Sequence, residues 1–128
     1  GIHALVAARL GETETALRFL RQAAIADLEL DPNSAGGIRI AGLGGLWQAI
    51  ILGFAGLDLK SDMLGIDPRL PPHWRSLSFR VCWRGRSVAI RIAGKTAQAT
   101  LVDGEGMEIR IAGTRGKLAP GVTLEVSI

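Results

Sequence analysis

The chain has 128 residues, 48% hydrophobic and 21% charged, which describes a globular domain with a core and excludes a disordered tail. Cys82 is the one cysteine, so an internal disulfide framework is excluded, and a reducing compartment, the cytoplasm, is expected. The net charge of +3 divides into −2 over residues 1–64 and +5 over residues 65–128, but the basic residues of the second half alternate with apolar ones instead of clustering, which reads as a solvated sheet face with no nucleic-acid partner.

The opening, GIHALVAARLGETET, has neither the basic stretch nor the cleavage-type ending of a signal peptide. Its nearly continuous apolar run reads as the end of a helix, closed by Gly11 in the left-handed conformation. A second helix follows over TETALRFLRQAAIADLEL. Thr13 or Thr15 can cap it, and Glu12 and Glu14 suit the positive end of its dipole. Leu17, Leu20, Ala24 and Leu28 form its buried stripe, and Pro32 and Asn33 end it. The short connection implies an antiparallel helix pair.

From Ile40 to Leu57 there are eighteen residues without a charge, long enough for a membrane span. Gly42, Gly44 and Gly45 near the start and Gly53 and Gly56 near the end argue against one, because each glycine costs a helix about 1 kcal/mol relative to alanine. The expected helix runs near Leu46 to Ala55 and is buried on every side, with no membrane contact. Gly36, Gly37, Gly42, Gly44 and Gly45 then form a loop entering that helix. Its backbone N–H groups, with the Arg39 guanidinium, are a candidate phosphate or anion site. Close helix packing is the competing reading of the same glycines.

Beyond Pro68, Pro71 and Pro72 the periodicity changes from helical to alternating. LSFRVCW puts Leu77, Phe79, Val81 and Trp83 on one face, with Ser78, Arg80, Cys82 and Arg84 on the other. Arg84, Gly85 and Arg86 make a hairpin-like turn, and SVAIRIA, AQATLVD, MEIRIAG and VTLEVSI continue the pattern. Short strands at such spacing predict an antiparallel sandwich or jelly roll.

Three stretches, IHALVAARLG, GGIRIAGLGGLWQAIILGFAGL and LGIDPRLPPHWRSLSFRVCWRGRSVAIRI, resemble the C-terminal end of glycoside hydrolase family 65. That family contains trehalose, maltose, kojibiose and nigerose phosphorylases and some hydrolases. The resemblance implies an α+β fold. Residues 1–57 would be the last helices of an (α/α)6 barrel, and 58–128 a C-terminal β-domain. It further implies inverting cleavage of an α-linked glucose disaccharide, with inorganic phosphate as co-substrate of the parent enzyme and no cofactor.

The family's general acid lies upstream of this chain, so no catalytic residue is assigned here and the chain alone is expected to be inactive. Its partners would be the remaining barrel and N-terminal domain. The phosphorylases carry GIHxxxxGG at the glycine loop. In this sequence Arg39 stands at the His position and Gly42 at the expected Ser position, so altered phosphorolysis, hydrolysis by water and a different donor group all stay open, and the alternative reading is a non-catalytic β-sandwich module that packs on a partner domain or binds glycan.

Other residues carry structural expectations. His3 is a packed helix residue, His73 is exposed, and two distant histidines with one cysteine make no metal site. Trp47 and Trp83 belong in cores and Trp74 in a domain interface. Helices cut from a barrel expose apolar surface, so self-association or a homo-oligomer is expected.

Overall fold

A computed structural model describes residues 1–28 and 40–128. It is a mixed α+β structure of two compact units, Gly1–Phe54 with Arg69–Pro71 and Ala55–Pro68 with Pro72–Ile128.

In the helical unit α1 spans Ile2–Arg9 and α2 spans Thr13–Leu28. The turn between them is a Schellman motif. The Gly11 N–H donates to the Ala8 carbonyl and the Glu12 N–H to the Ala7 carbonyl, both at 3.0 Å, with Gly11 at φ +85°. Gly11 therefore closes the helix as its position predicts. Because α2 already begins at Thr13, Glu12 occupies the cap position, and its carbonyl accepts the Ala16 N–H at 2.8 Å. Ala16, Leu17 and Leu20 are buried and Ala24 half-buried on the stripe read from the sequence. Ala4, Ala7 and Ala8 form the buried side of α1, where small side chains permit close helix approach.

The uncharged stretch departs from expectation. Helix α3 spans Ile40–Gln48 and passes into a π-helical segment, Ala49–Phe54. Gly42, Gly44 and Gly45 thus lie within a helix and not in a loop ahead of Leu46. Local propensity argued for a loop at about 1 kcal/mol per glycine, but the stretch runs on as helix into the π-segment, whose Ala49, Ile51, Gly53 and Phe54 are buried, while α3 itself buries no residue. A Cβ on Gly53 would sit 3.2 Å from both the Ala8 Cβ and the Leu5 Cα, so α1 crosses the π-segment in close contact.

In the second unit, β1 (Leu64–Ile66), β5 (Met107–Ile111) and β6 (Thr114–Leu118) form one sheet in the order β1-β5-β6, with β1 parallel to β5. β2 (Ser76–Trp83), β3 (Arg86–Ala93), β4 (Thr96–Asp103) and β7 (Thr123–Ser127) form a four-stranded antiparallel sheet in the order β2-β3-β4-β7. The register aligns Phe79, Ile90, Ala99 and Leu124 across that sheet, with Leu77, Ile92, Ala97 and Val126 in the next row. Val88, Ile90, Ile92 and Leu101 are buried, together with Leu64, Ile66, Ile109, Ile111 and Leu118 of the smaller sheet. Each such side chain contributes about 1.5–3 kcal/mol of burial.

Strands β1 and β6 escape the sequence reading. LGI is only three residues long, and TRGKL lacks alternation. Trp83, expected in the core, is half-buried because it ends the edge strand β2.

Two tight contacts set the limits on substitution. Gly56 has φ +64°, and a Cβ there would overlap the Asp67 backbone, whose N–H donates to the Gly56 carbonyl. Gly56→Ala is expected to destabilise the protein by about 2–4 kcal/mol in urea denaturation, from combined backbone strain and overlap. Ala112 holds φ +48° in an exposed hairpin turn, followed by Gly113 at +81°. Asparagine tolerates that conformation better than alanine, so Ala112→Asn should stabilise by about 0.5–1 kcal/mol in the same assay.

Candidate functional site

Arg39, Gly36 and Gly37 of the predicted anion loop lie outside the described residues. Gly42, Gly44 and Gly45 come together on α3. Gly44 and Gly45 are its fifth and sixth residues, where backbone N–H groups bond within the helix, whereas Gly42 is in the first turn. Gly45 packs against the Gly1 backbone, its added Cβ falling 3.6 Å from the Gly1 Cα, while a Cβ on Gly44 would meet nothing within 4 Å.

The helical unit carries two exposed apolar stripes. On α1, Ile2, Val6 and Leu10 recur every fourth residue, opposite the buried alanines, and Leu10 is 73% exposed. On α3, Ile40, Leu43 and Trp47 follow the i, i+3, i+7 spacing, with Ile40 81% and Trp47 54% exposed. Trp47 is therefore a surface residue and not the core residue expected from its apolar surroundings. The sequence shows an all-round apolar helix, but three described helices are too few to enclose it. His3 is also exposed, its ring 5.7 Å from that of Phe19.

Polar side chains of this unit stitch its helix ends together. Arg9 Nε donates to the Leu52 carbonyl at 3.1 Å and Arg69 Nη1 to the Arg9 carbonyl at 2.9 Å. The Arg69 N–H donates to the Phe54 carbonyl at 2.7 Å, so two carbonyls of the π-segment find donors.

In the β-unit Asp58 organises the approach to β1. Its Oδ1 accepts the Lys60 N–H at 2.9 Å, its Oδ2 accepts the Ser61 hydroxyl at 2.6 Å, and Arg110 Nη2 lies 3.4 Å from Oδ2. The Ser61 hydroxyl, then the Lys60 amide, and more weakly Arg110 hold the Asp58 carboxyl below its ordinary value of 3.8. The backbones of Asp58 and Gly65 exchange hydrogen bonds at 2.8 and 3.2 Å.

The outward face of the larger sheet carries Ser78, Arg80, Arg91, Gln98 and Thr100. Cys82 and His73 are exposed. Among the described residues no group of three or more His, Cys, Asp or Glu could hold a metal ion, and no helix is long and apolar enough to cross a membrane.

A two-sheet unit of this kind has a counterpart in a known domain class. Residues 57–118 match the family model described as glycosyl hydrolase family 65, C-terminal domain. The chain belongs to glycosyl hydrolase family 65 and corresponds to the C-terminal part of its members.

It is 31% identical over 127 residues to an alpha,alpha-trehalose phosphorylase of Geobacillus stearothermophilus, covering 98% of this chain. It is 37% identical over 92 residues to a kojibiose phosphorylase of Halothermothrix orenii, covering 71%. The chain spans only 17% and 12% of the lengths of those two curated relatives. A solved structure from the human microbiome, provisionally named a kojibiose phosphorylase, matches with a TM-score of 0.86 over 99% of this chain and 19% of its own, a likeness of fold at 23% identity.

The lowered Asp58 pKa makes a signed prediction. A carboxyl whose folded-state pKa is depressed contributes stability that is present above its unfolded value and lost as pH falls through the folded one. Denaturation midpoints of the parent chain should therefore fall on acidification below the ordinary value of 3.8. Asp58→Asn should start lower and lose that part of the acid limb.

Proposed function

We propose that this chain is the C-terminal part of an inverting disaccharide phosphorylase and that it is inactive without the remainder of the protein. In this reading residues 1–57 supply the closing helices of an (α/α)6 catalytic barrel, and residues 58–128 form its C-terminal β-domain. The observation that carries it is the pair of apolar stripes on α1 and α3, Ile2–Val6–Leu10 and Ile40–Leu43–Trp47, left exposed by a helical unit too small to cover them. Neighbouring barrel helices would bury such stripes, and curated relatives several times longer than this chain are named trehalose and kojibiose phosphorylases.

The chemistry needs one carboxylic acid to protonate the leaving glycosidic oxygen while phosphate attacks the opposite face of the sugar. The acid belongs to the upstream barrel. This chain's contribution is the anion contact at Arg39 and the start of α3. In the family's motif Arg39 stands where the phosphorylases carry histidine, and Gly42 stands where they carry a hydroxyl donor. Gly44 and Gly45 complete the candidate set, Gly45 where the Gly1 backbone approaches it and Gly44 on the open side of the helix. The α-linked disaccharide and inorganic phosphate are substrates of the whole protein.

The test is release of glucose and glucose 1-phosphate from trehalose and kojibiose, with and without phosphate, by the 128-residue chain and by the longer protein of its reading frame. Phosphate-dependent glucose 1-phosphate from the longer protein alone is the expected result. Turnover by the 128-residue chain would sink the proposed division of labour, and phosphate-indifferent glucose would make the parent a hydrolase. Light scattering provides a second check. The isolated chain should self-associate, and Ile2→Gln, Leu10→Gln and Trp47→Gln together should shift it towards monomer by removing the apolar stripes.

A further inference from the structure

At the β2–β3 hairpin the backbone is strained at a residue that is not glycine. Arg84 has φ +47° and Gly85 φ +75°, a two-residue turn that ordinarily takes Asn or Asp at its first central position. Arginine at this position has a consequence that asparagine could not produce. Its guanidinium lies 4.5 Å from the centroid of the Trp83 ring, within cation–π range, and its Nη1 donates to the Asp62 carbonyl at 3.3 Å. Arg86 is held as firmly, its Nε on the Glu105 carbonyl at 3.0 Å and its Nη1 on the Arg84 carbonyl at 3.2 Å. Each guanidinium has five N–H donors, so both keep donors for a ligand.

These groups border a cleft of about 280 Å³, shared with Met63 and Met107 and with the carboxylates of Asp62 and Glu108. Asp62 and Glu108 are exposed, and neither side-chain carboxylate has an ion-pair or hydrogen-bond partner among the described residues. The cleft therefore presents a half-buried indole, two positioned donors and two solvent-exposed carboxylate acceptors. A phosphate would meet two carboxylates and a cation two guanidinium groups, and both ions are disfavoured. A neutral ring with apolar C–H edges and hydroxyls that both donate and accept matches every group present. The volume is at the lower end of ligand-pocket sizes, about 300–1,000 Å³, and limits the occupant to about one ring.

We propose that this cleft is a secondary carbohydrate site that binds the hexopyranose end of a neutral glycan through Trp83, Arg84, Arg86, Asp62 and Glu108. It stands on the β-unit alone and does not depend on the activity proposed above.

The test is a titration of the ¹⁵N-labelled 128-residue chain with maltose, with inorganic phosphate as the comparison probe. The Trp83 indole N–H and the amides of Asp62 and Glu108 should shift together and saturate in the millimolar range with maltose, and phosphate should leave them unmoved. Glu108→Gln and Asp62→Asn, both at exposed positions, should each weaken maltose binding by about tenfold through loss of a charged acceptor. Trp83→Ala tests the ring, and circular dichroism shows whether that variant is folded. The two carboxylate variants decide the matter if it is not. Absence of maltose shifts at these residues in the folded chain, shifts with phosphate alone, or unchanged affinity in both carboxylate variants would each overturn the site.

Discussion

The β-unit depends on burial of two apolar sheet faces with no polar atom left stranded between them. Val88, Ile90, Ile92 and Leu101 from the four-stranded sheet and Leu64, Ile66, Ile109, Ile111 and Leu118 from the three-stranded one are the side chains removed from water. No buried side-chain N or O lacks a partner among the described residues. Such a core is dense, so its tolerances are geometric. A Cβ on Gly116 of β6 would overlap the terminal methyls of Leu124 on β7, so that side chain would have to turn aside, and the two sheets touch at these edges.

The helical unit obeys a different constraint. Its buried side chains are alanines of α1, α2 and the π-segment together with Leu17, Leu20, Ile51 and Phe54. Other large apolar residues, Ile2, Leu10, Ile40 and Trp47, face outward. Exposed apolar stripes of this kind suit contact with further protein, and the curated relatives are much longer than this chain. The π-segment fits the same account. A π-turn costs hydrogen-bond quality and survives when its carbonyls are met from elsewhere, here by Arg9 and the Arg69 backbone.

Arginine recurs as a fastener in both units. Arg69, Arg84, Arg86 and Arg110 each reach an oxygen distant in sequence or across a turn, three of them to backbone carbonyls. The charge excess of the second half is thus partly a set of planar, multi-donor clasps at loop ends. Arg80 and Arg91 lie on the outer sheet face, where the alternating pattern predicts a solvated surface.

Alternation by itself determined the β3, β4 and β5 strands and which of their faces is buried, because a two-residue period leaves a strand only one way to bury Val88, Ile90 and Ile92 together. The Schellman turn at Gly11 was legible too, since a left-handed closing residue is a local requirement. The family was legible from the residue runs around the glycine stretch and the prolines. Only tertiary structure decided the rest. β1 and β6 exist because Leu64–Ile66 and Thr114–Leu118 find β5 to pair with, and pairing partners are absent from local pattern. The glycines of residues 42–45 join a helix, against their local propensity, in the stretch that leads into the buried π-segment. The carboxylates, arginines and indole around Trp83 come from three separate stretches, and no reading of spacing could bring Asp62, Trp83 and Glu108 to one cleft.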